Sequence, residues 1–71
     1  MQVFINGSPL TLFTGARVLD GLTAYSTIAL KDVREGRVEV RDAEGHLVYV
    51  DGRLSDGDHL TLGAQVGGEE Q

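Results

Sequence analysis

Apolar and polar residues alternate along the opening MQVFINGSPLTLF. Val3 and Ile5 share one side of an extended chain, Leu10 and Leu12 share one side of the next, and Asn6-Gly7-Ser8-Pro9 separates the two runs. The pattern predicts a β-hairpin. Asn6-Gly7 accepts positive φ, and Pro9 fits an edge strand, where its missing N–H costs no ladder bond. From Ala16 the period lengthens: Val18, Leu19, Leu22 and Tyr25 recur at helical spacing. A helix of about three turns is expected there, starting near Thr14 or Gly15 and stopping at Ser26-Thr27. Gly21 inside it costs about 1 kcal/mol relative to Ala, which close packing of the helix on a sheet would explain.

The next stretch, STIALKDVREG, shows no clean period and is expected to carry the chain across the sheet to a third strand. RVEVRDAEGHLVYV then reads as strand, turn, strand. Val38 and Val40 alternate with charges, Asp42-Ala43-Glu44-Gly45 has turn chemistry, and Leu47-Val48-Tyr49-Val50 resumes the extended pattern. Two Asp-Gly turns, in DGRLSDGDHLTL, precede a last strand with Leu60 and Leu62 pointing inward. The elements together predict an α+β fold, a mixed sheet of four to five strands with one main helix packed on one face. In this reading Phe4 falls on the face opposite Val3 and Ile5, and Tyr49 is likewise set apart from Val48 and Val50. These two aromatics are the candidate partner-docking surface, and ordinary scattered exposure accounts for them equally well.

Composition narrows the chemistry. The 71 residues leave room for one small core, and 41% hydrophobic content can fill it. Without cysteine the chain has no thiol nucleophile, iron–sulfur ligand or disulfide. His46 and His59 are too few and wrongly spaced for zinc, and Asp51, Asp56 and Asp58 lack the spacing of a calcium loop, so no metal site is expected. Ser8, Ser26 and Ser55 fall in turns without the elbow sequence of a catalytic serine, so the chain is expected not to be an enzyme. Eleven acidic against six basic residues give a formal charge of −5, which disfavours nucleic acid. Lys31, Arg34, Arg37 and Arg41 cluster but are interleaved with Asp32, Glu35 and Glu39, which reads as a charge-balanced edge. With no leader and no membrane-length apolar run, a cytoplasmic protein is expected.

The strand–turn–strand MQVFINGSPLTL, the helix opening GARVLDGL, the SDGDHLTL lead into the last strand and the tail with Gly67-Gly68 resemble the ubiquitin-like β-grasp sulfur carriers of thiamine and molybdopterin biosynthesis. The likeness in layout covers nearly the whole chain. It implies a β-grasp domain over residues 1–62 and a flexible tail over 63–71. It also implies a non-enzymatic carrier, monomeric when free, whose glycyl carboxylate at Gly68 is adenylated and then sulfurated to a thiocarboxylate, with the thiamine branch as first choice. Val66, Gly67 and Gly68 would enter the partner's active site. The partners implied are a ubiquitin-activating-like adenylyltransferase, which uses ATP, and a sulfur-accepting synthase; the carrier itself binds no cofactor.

The chemistry has an independent logic. A carboxylate oxygen is a poor leaving group, whereas an acyl-adenylate presents one that sulfur can displace. Two glycines pass a narrow site because they carry no side chain and accept nearly any φ/ψ. The chain departs from mature carriers in one respect: Glu69-Glu70-Gln71 follow the glycine pair. Either these three residues are removed by a peptidase or the role is lost; some carriers of the family bear a short extension that a metallopeptidase trims, and on that pattern the resemblance implies a precursor, cut before Gly68 can react. The alternative is a β-grasp interaction module with no sulfur-transfer role, in which the glycine pair carries no chemistry.

Overall fold

The computed structural model describes residues 1–64; Val66, Gly67 and Gly68 lie outside the described residues. Asn6 (φ 51°) and Gly7 (φ 82°) both adopt the left-handed conformation. That pair of torsions turns the chain tightly enough to pair β1 (Gln2–Ile5) antiparallel with β2 (Ser8–Thr11). Phe4 stands opposite Pro9 and donates its N–H to Asp58 O, 2.8 Å away on the other side of β1. Phe4 and Pro9 therefore form a non-hydrogen-bonded pair, and the absent N–H of Pro9 faces outward from an edge strand.

Helix α1 (Val18–Tyr25) has two turns, not three. Its start is set by distant chain. Ala16 O accepts from Leu54 N at 3.0 Å, and Arg17 bridges Arg53, holding these residues extended where the sequence pattern predicted helix. The first helical N–H groups then find carbonyls on the 50–52 loop: Val18 N to Gly52 O at 2.8 Å and Leu19 N to Val50 O at 2.9 Å. Asp20 reaches back to accept the Arg17 N–H at 2.8 Å, a carboxylate placed at the positive end of the helix.

The segment expected to cross the sheet without regular structure is instead a second helix, α2 (Thr27–Arg34). Ser26 is extended (φ −171°, ψ 124°), so it ends α1, and its hydroxyl accepts the Ala29 N–H at 3.3 Å, so it also begins α2. At the far end Gly36 (φ 82°) forms a Schellman cap, with Arg37 N donating to Asp32 O (2.9 Å) and Gly36 N to Val33 O (3.1 Å). The apolar stripe of α2 is narrow. Leu30 and Val33 are half-buried and Ile28 points to solvent, which is why no clear period was visible.

β3 (Val38–Arg41) pairs antiparallel with β4 (Leu47–Val48) through a turn in which Asp42 Oδ1 accepts from both Glu44 N (3.0 Å) and His46 N (2.9 Å). β4 is shorter than the expected Leu47–Val50 run. The chain leaves it at Tyr49, whose carbonyl accepts the Gly52 N–H at 2.9 Å to close the Asp51-Gly52 turn. The second Asp-Gly turn, with Gly57 at φ 88°, leads to β5 (His59–Ala64).

The five strands form one mixed sheet in the order β2-β1-β5-β3-β4, with β1 and β5 parallel and the other neighbours antiparallel. Among the described residues the chain is thus an α+β domain with two helices, an arrangement compatible with a β-grasp fold. The alternation read in the sequence is realised: Val3, Ile5, Val40 and Leu60 are buried toward the helices, where Val18, Leu22 and Leu54 meet them. Gly21 lies against this core. A Cβ there would stand 3.4–3.6 Å from Leu54, Ile5 and Leu12, which is ordinary contact, so the site admits a methyl group and nothing larger without displacement.

Candidate functional site

Two places on this scaffold bear on function: the end of β5, from which the chain continues toward Gly67-Gly68, and a cleft beside α2. β5 is a central strand, flanked by β1 and β3. It is fastened to β1 by an unusual device. Asn6, past the end of β1, donates its N–H to Leu60 O (2.9 Å) and accepts the Leu62 N–H on its side-chain Oδ1 (2.9 Å), extending the parallel ladder with a side chain in place of backbone. Its Nδ2 also reaches the Tyr25 hydroxyl, 3.5 Å away on α1. The sequence marked Asn6 only as a turn residue; the structure makes it the junction of hairpin, last strand and helix.

Gly63 and Ala64, expected to open the tail, belong to β5 and pair with Glu39 and Val38. The boundary after residue 62 therefore falls inside the strand, and the chain is held to the sheet at least as far as Ala64. Val66, Gly67 and Gly68 follow this anchored point in sequence and lie outside the described residues.

The two aromatics proposed for docking are not brought together. Phe4 is half-buried and stacks on His59, with ring centroids 4.5 Å apart and planes 9° from parallel, on the sheet face away from the helices. Tyr49 is 68% exposed and lies beyond β4. Three strand spacings, about 14 Å, separate β1 from β4 across β5 and β3.

Tyr49 instead borders a cleft of about 350 Å³ that the sequence did not suggest. Val33, Arg34 and Gly36 form the wall from the end of α2, Val38 and Val40 the floor on β3, and Leu47, Val48, Tyr49 and Val50 the far side. Its lining comes from three stretches separated by turns, so no local motif announces it. Leu47, 42% exposed, adds to the apolar rim.

The mixed charges near this cleft are sorted by the fold. Arg37 pairs with Asp32 (3.4 Å) and Glu35, and Arg41 with Glu39 (2.7 Å). Among the described residues, Lys31 and Arg34 have no carboxylate partner. The edge that looked balanced in sequence thus divides into two ion-paired arginines, with Arg37 shared by two carboxylates, and two cations on the last turns of α2 without a carboxylate partner among the described residues.

The aspartates weighed as calcium ligands do structural work. Asp56 Oδ1 accepts the Gln2 N–H (2.7 Å), Asp58 Oδ2 the Ser55 N–H (2.7 Å), and the Asp51 carbonyl accepts from the Arg17 guanidinium (2.7 Å). One cluster escaped the sequence reading: ligand atoms of Asp42, Glu44 and His46 lie within 4.8 Å of one another in the β3–β4 turn. Asp42 is committed there to two backbone N–H groups, and Glu44 and His46 are exposed, so the trio is explained by the turn it builds.

The fold and the strand order define the class to which this chain belongs, a small α+β domain with a mixed five-stranded sheet. Set against protein-family models, curated proteins and solved structures, the chain matches none.

Proposed function

We propose that the chain is a ubiquitin-like β-grasp sulfur carrier of the thiamine type, which reacts at Gly68 once Glu69, Glu70 and Gln71 have been removed. The observation that carries this reading is the placement of β5. A central strand, bonded on both sides, is the last described element before the glycine pair in the sequence, which supports a reading in which a folded body presents the reacting end.

Four residue steps separate Ala64, paired with Val38, from Gly68, a reach of at most about 14 Å. A tail free from Gly63 onward would reach about 20 Å; the reach is shorter because Gly63 and Ala64 stay in the sheet. A partner enzyme must then grip the domain close to the end of β5.

The chemistry runs in two balanced steps. The freed Gly68 carboxylate attacks the α-phosphorus of ATP on the adenylyltransferase, forming the acyl-adenylate and expelling pyrophosphate. Sulfide (HS−) delivered by the partner then attacks the acyl carbon, forming the C–S bond as the bond to AMP breaks, and after loss of the proton leaves a thiocarboxylate that the synthase consumes. Glycine at the last two positions lets the end lie extended in a narrow channel. Uncut, Glu69 and Glu70 would meet the phosphates of ATP with like charge.

The test uses two chains, one complete and one ending at Gly68, each incubated with a ubiquitin-activating-type adenylyltransferase from the native host and ATP. Pyrophosphate release from the shorter chain alone, slowed by Gly68→Ala, is the expected result. No release from either, together with only full-length mass in cells starved for sulfur-containing cofactors, removes the carrier reading. The second reading, an interaction module without sulfur transfer, is favoured by one observation, the open apolar cleft beside β4.

A further inference from the structure

We propose that the cleft between α2 and β4 receives an extended segment of a partner protein, added to the sheet along the outer edge of β4, that carries apolar and acidic side chains at every second position, together on the face turned to the cleft. This holds whether or not Gly68 is ever acylated, because it uses neither the tail nor ATP.

Three features of the structure converge on that occupant. The first is shape and polarity: an open cleft of about 350 Å³ lined by Val33, Val38, Val48 and Val50 takes one or two aliphatic side chains. The second is the edge itself. Asp42 N bonds His46 O, and Val40 stands opposite Val48, so the intervening pair Arg41 and Leu47 is the non-hydrogen-bonded one. The N–H and C=O of Leu47 consequently point away from β3, toward the side where a further strand would lie. An extended peptide meets exactly such groups with its own backbone when it joins a sheet, while alternate side chains drop into the neighbouring pocket.

The third feature is charge. Arg34 forms part of the cleft wall and Lys31 sits one turn earlier on the same helix; neither has a carboxylate partner among the described residues. The acidic groups close by are already engaged, Asp32 and Glu35 by Arg37 and Glu39 by Arg41. Over residues 31–41 four cations stand against three carboxylates, a slight positive excess although the whole chain carries −5. A peptide bearing glutamate two positions from an aliphatic residue sets both side chains on the cleft face and matches this rim, and a basic peptide does not. Two backbone residues of β4 offer a short ladder, so the side-chain pocket and the Arg34 rim set the selectivity.

The experiment titrates the isotope-labelled full-length chain with the capped hexapeptide Val-Ser-Val-Ser-Glu-Ser, whose valines and glutamate share one face of an extended chain, and with its lysine-for-glutamate counterpart, following amide resonances. The acidic peptide is expected to shift Leu47, Tyr49 and Val50 and to show contacts from its valine methyls to Val33. Arg34→Ala, at an exposed helix position, should weaken that binding about threefold while leaving the spectrum of the free domain folded, the size of one exposed charge pair. Absence of shifts at millimolar peptide, or equal shifts with the lysine peptide, overturns the proposal. So do contacts between Val66 and the cleft in the free chain, which assign the groove to the molecule itself, and shifts at the same residues that grow with protein concentration alone, which assign it to a second copy.

Discussion

The two helices of this domain are each eight residues long and lie on a single sheet, yet they are held in different ways. α1 buries Val18, Gly21 and Leu22 over β1, and its first N–H groups are tied to the 50–52 loop. α2 buries no residue fully, is capped at both ends by its own local chain, and borders an open cleft. One half of the molecule is thus stabilised by packing and the other by capping, and unfilled apolar surface collects on the second. A domain of this size has enough apolar side chains for one tight core, so the remaining helix is left partly uncovered, where it can meet another molecule.

The largest expected effect tests the packed half. Leu22, fully buried, should cost about 3 kcal/mol when replaced by Ala, through lost transfer energy and the cavity left behind, measured by urea unfolding. A loss under about 1 kcal/mol would mean that α1 is no better seated than α2.

Asn6 comes next. Asn6→Ala loses both tolerance of the left-handed conformation and the acceptor for Leu62 N–H, together about 2 kcal/mol, whereas Asn6→Gly should restore the conformation and lose only about 1 kcal/mol. Equal destabilisation by the two would show that the side-chain bond to β5 contributes everything and the turn nothing.

A smaller, opposite effect is expected at Gly21. Its Cβ position is in ordinary contact distance of three side chains, so Gly21→Ala should gain up to about 1 kcal/mol of helix propensity, while Gly21→Val should destabilise. Thermal melts of the pair decide whether the glycine answers to close packing. The smallest effect sharpens the contrast from the other half: Ile28→Ser, at a position 71% exposed on α2, should change stability by less than about 0.5 kcal/mol. A larger loss would show that α2 is buried in solution by something that covers it.

The legibility of the chain follows the same division. Val3, Ile5, Val40 and Leu60 were readable as core because a strand with one buried face repeats every two residues, and each is buried. Asn6-Gly7, Asp42 to Gly45 and the Asp-Gly pairs were readable as turns because their backbone demands are local. α2 was missed although its punctuation was present: Ser26 before the helix and Gly36 after it are cap residues, but the weak apolar stripe of Leu30 and Val33 concealed what lay between. Of the candidate site, Gly67-Gly68 could be singled out as a motif, while the cleft could not, since its walls come from residues 33–36, 38–40 and 47–50.

The sequence by itself therefore determined the periodic faces, the turns and the position of the glycine pair, each a property of neighbours along the chain. Tertiary structure alone decided where α1 begins, because the partners of its first N–H groups lie some thirty residues away at Val50 and Gly52. It also decided which cations are neutralised and which stand at the rim of an open cleft, because ion pairing and cavity walls depend on the distances that folding sets between residues the chain keeps apart.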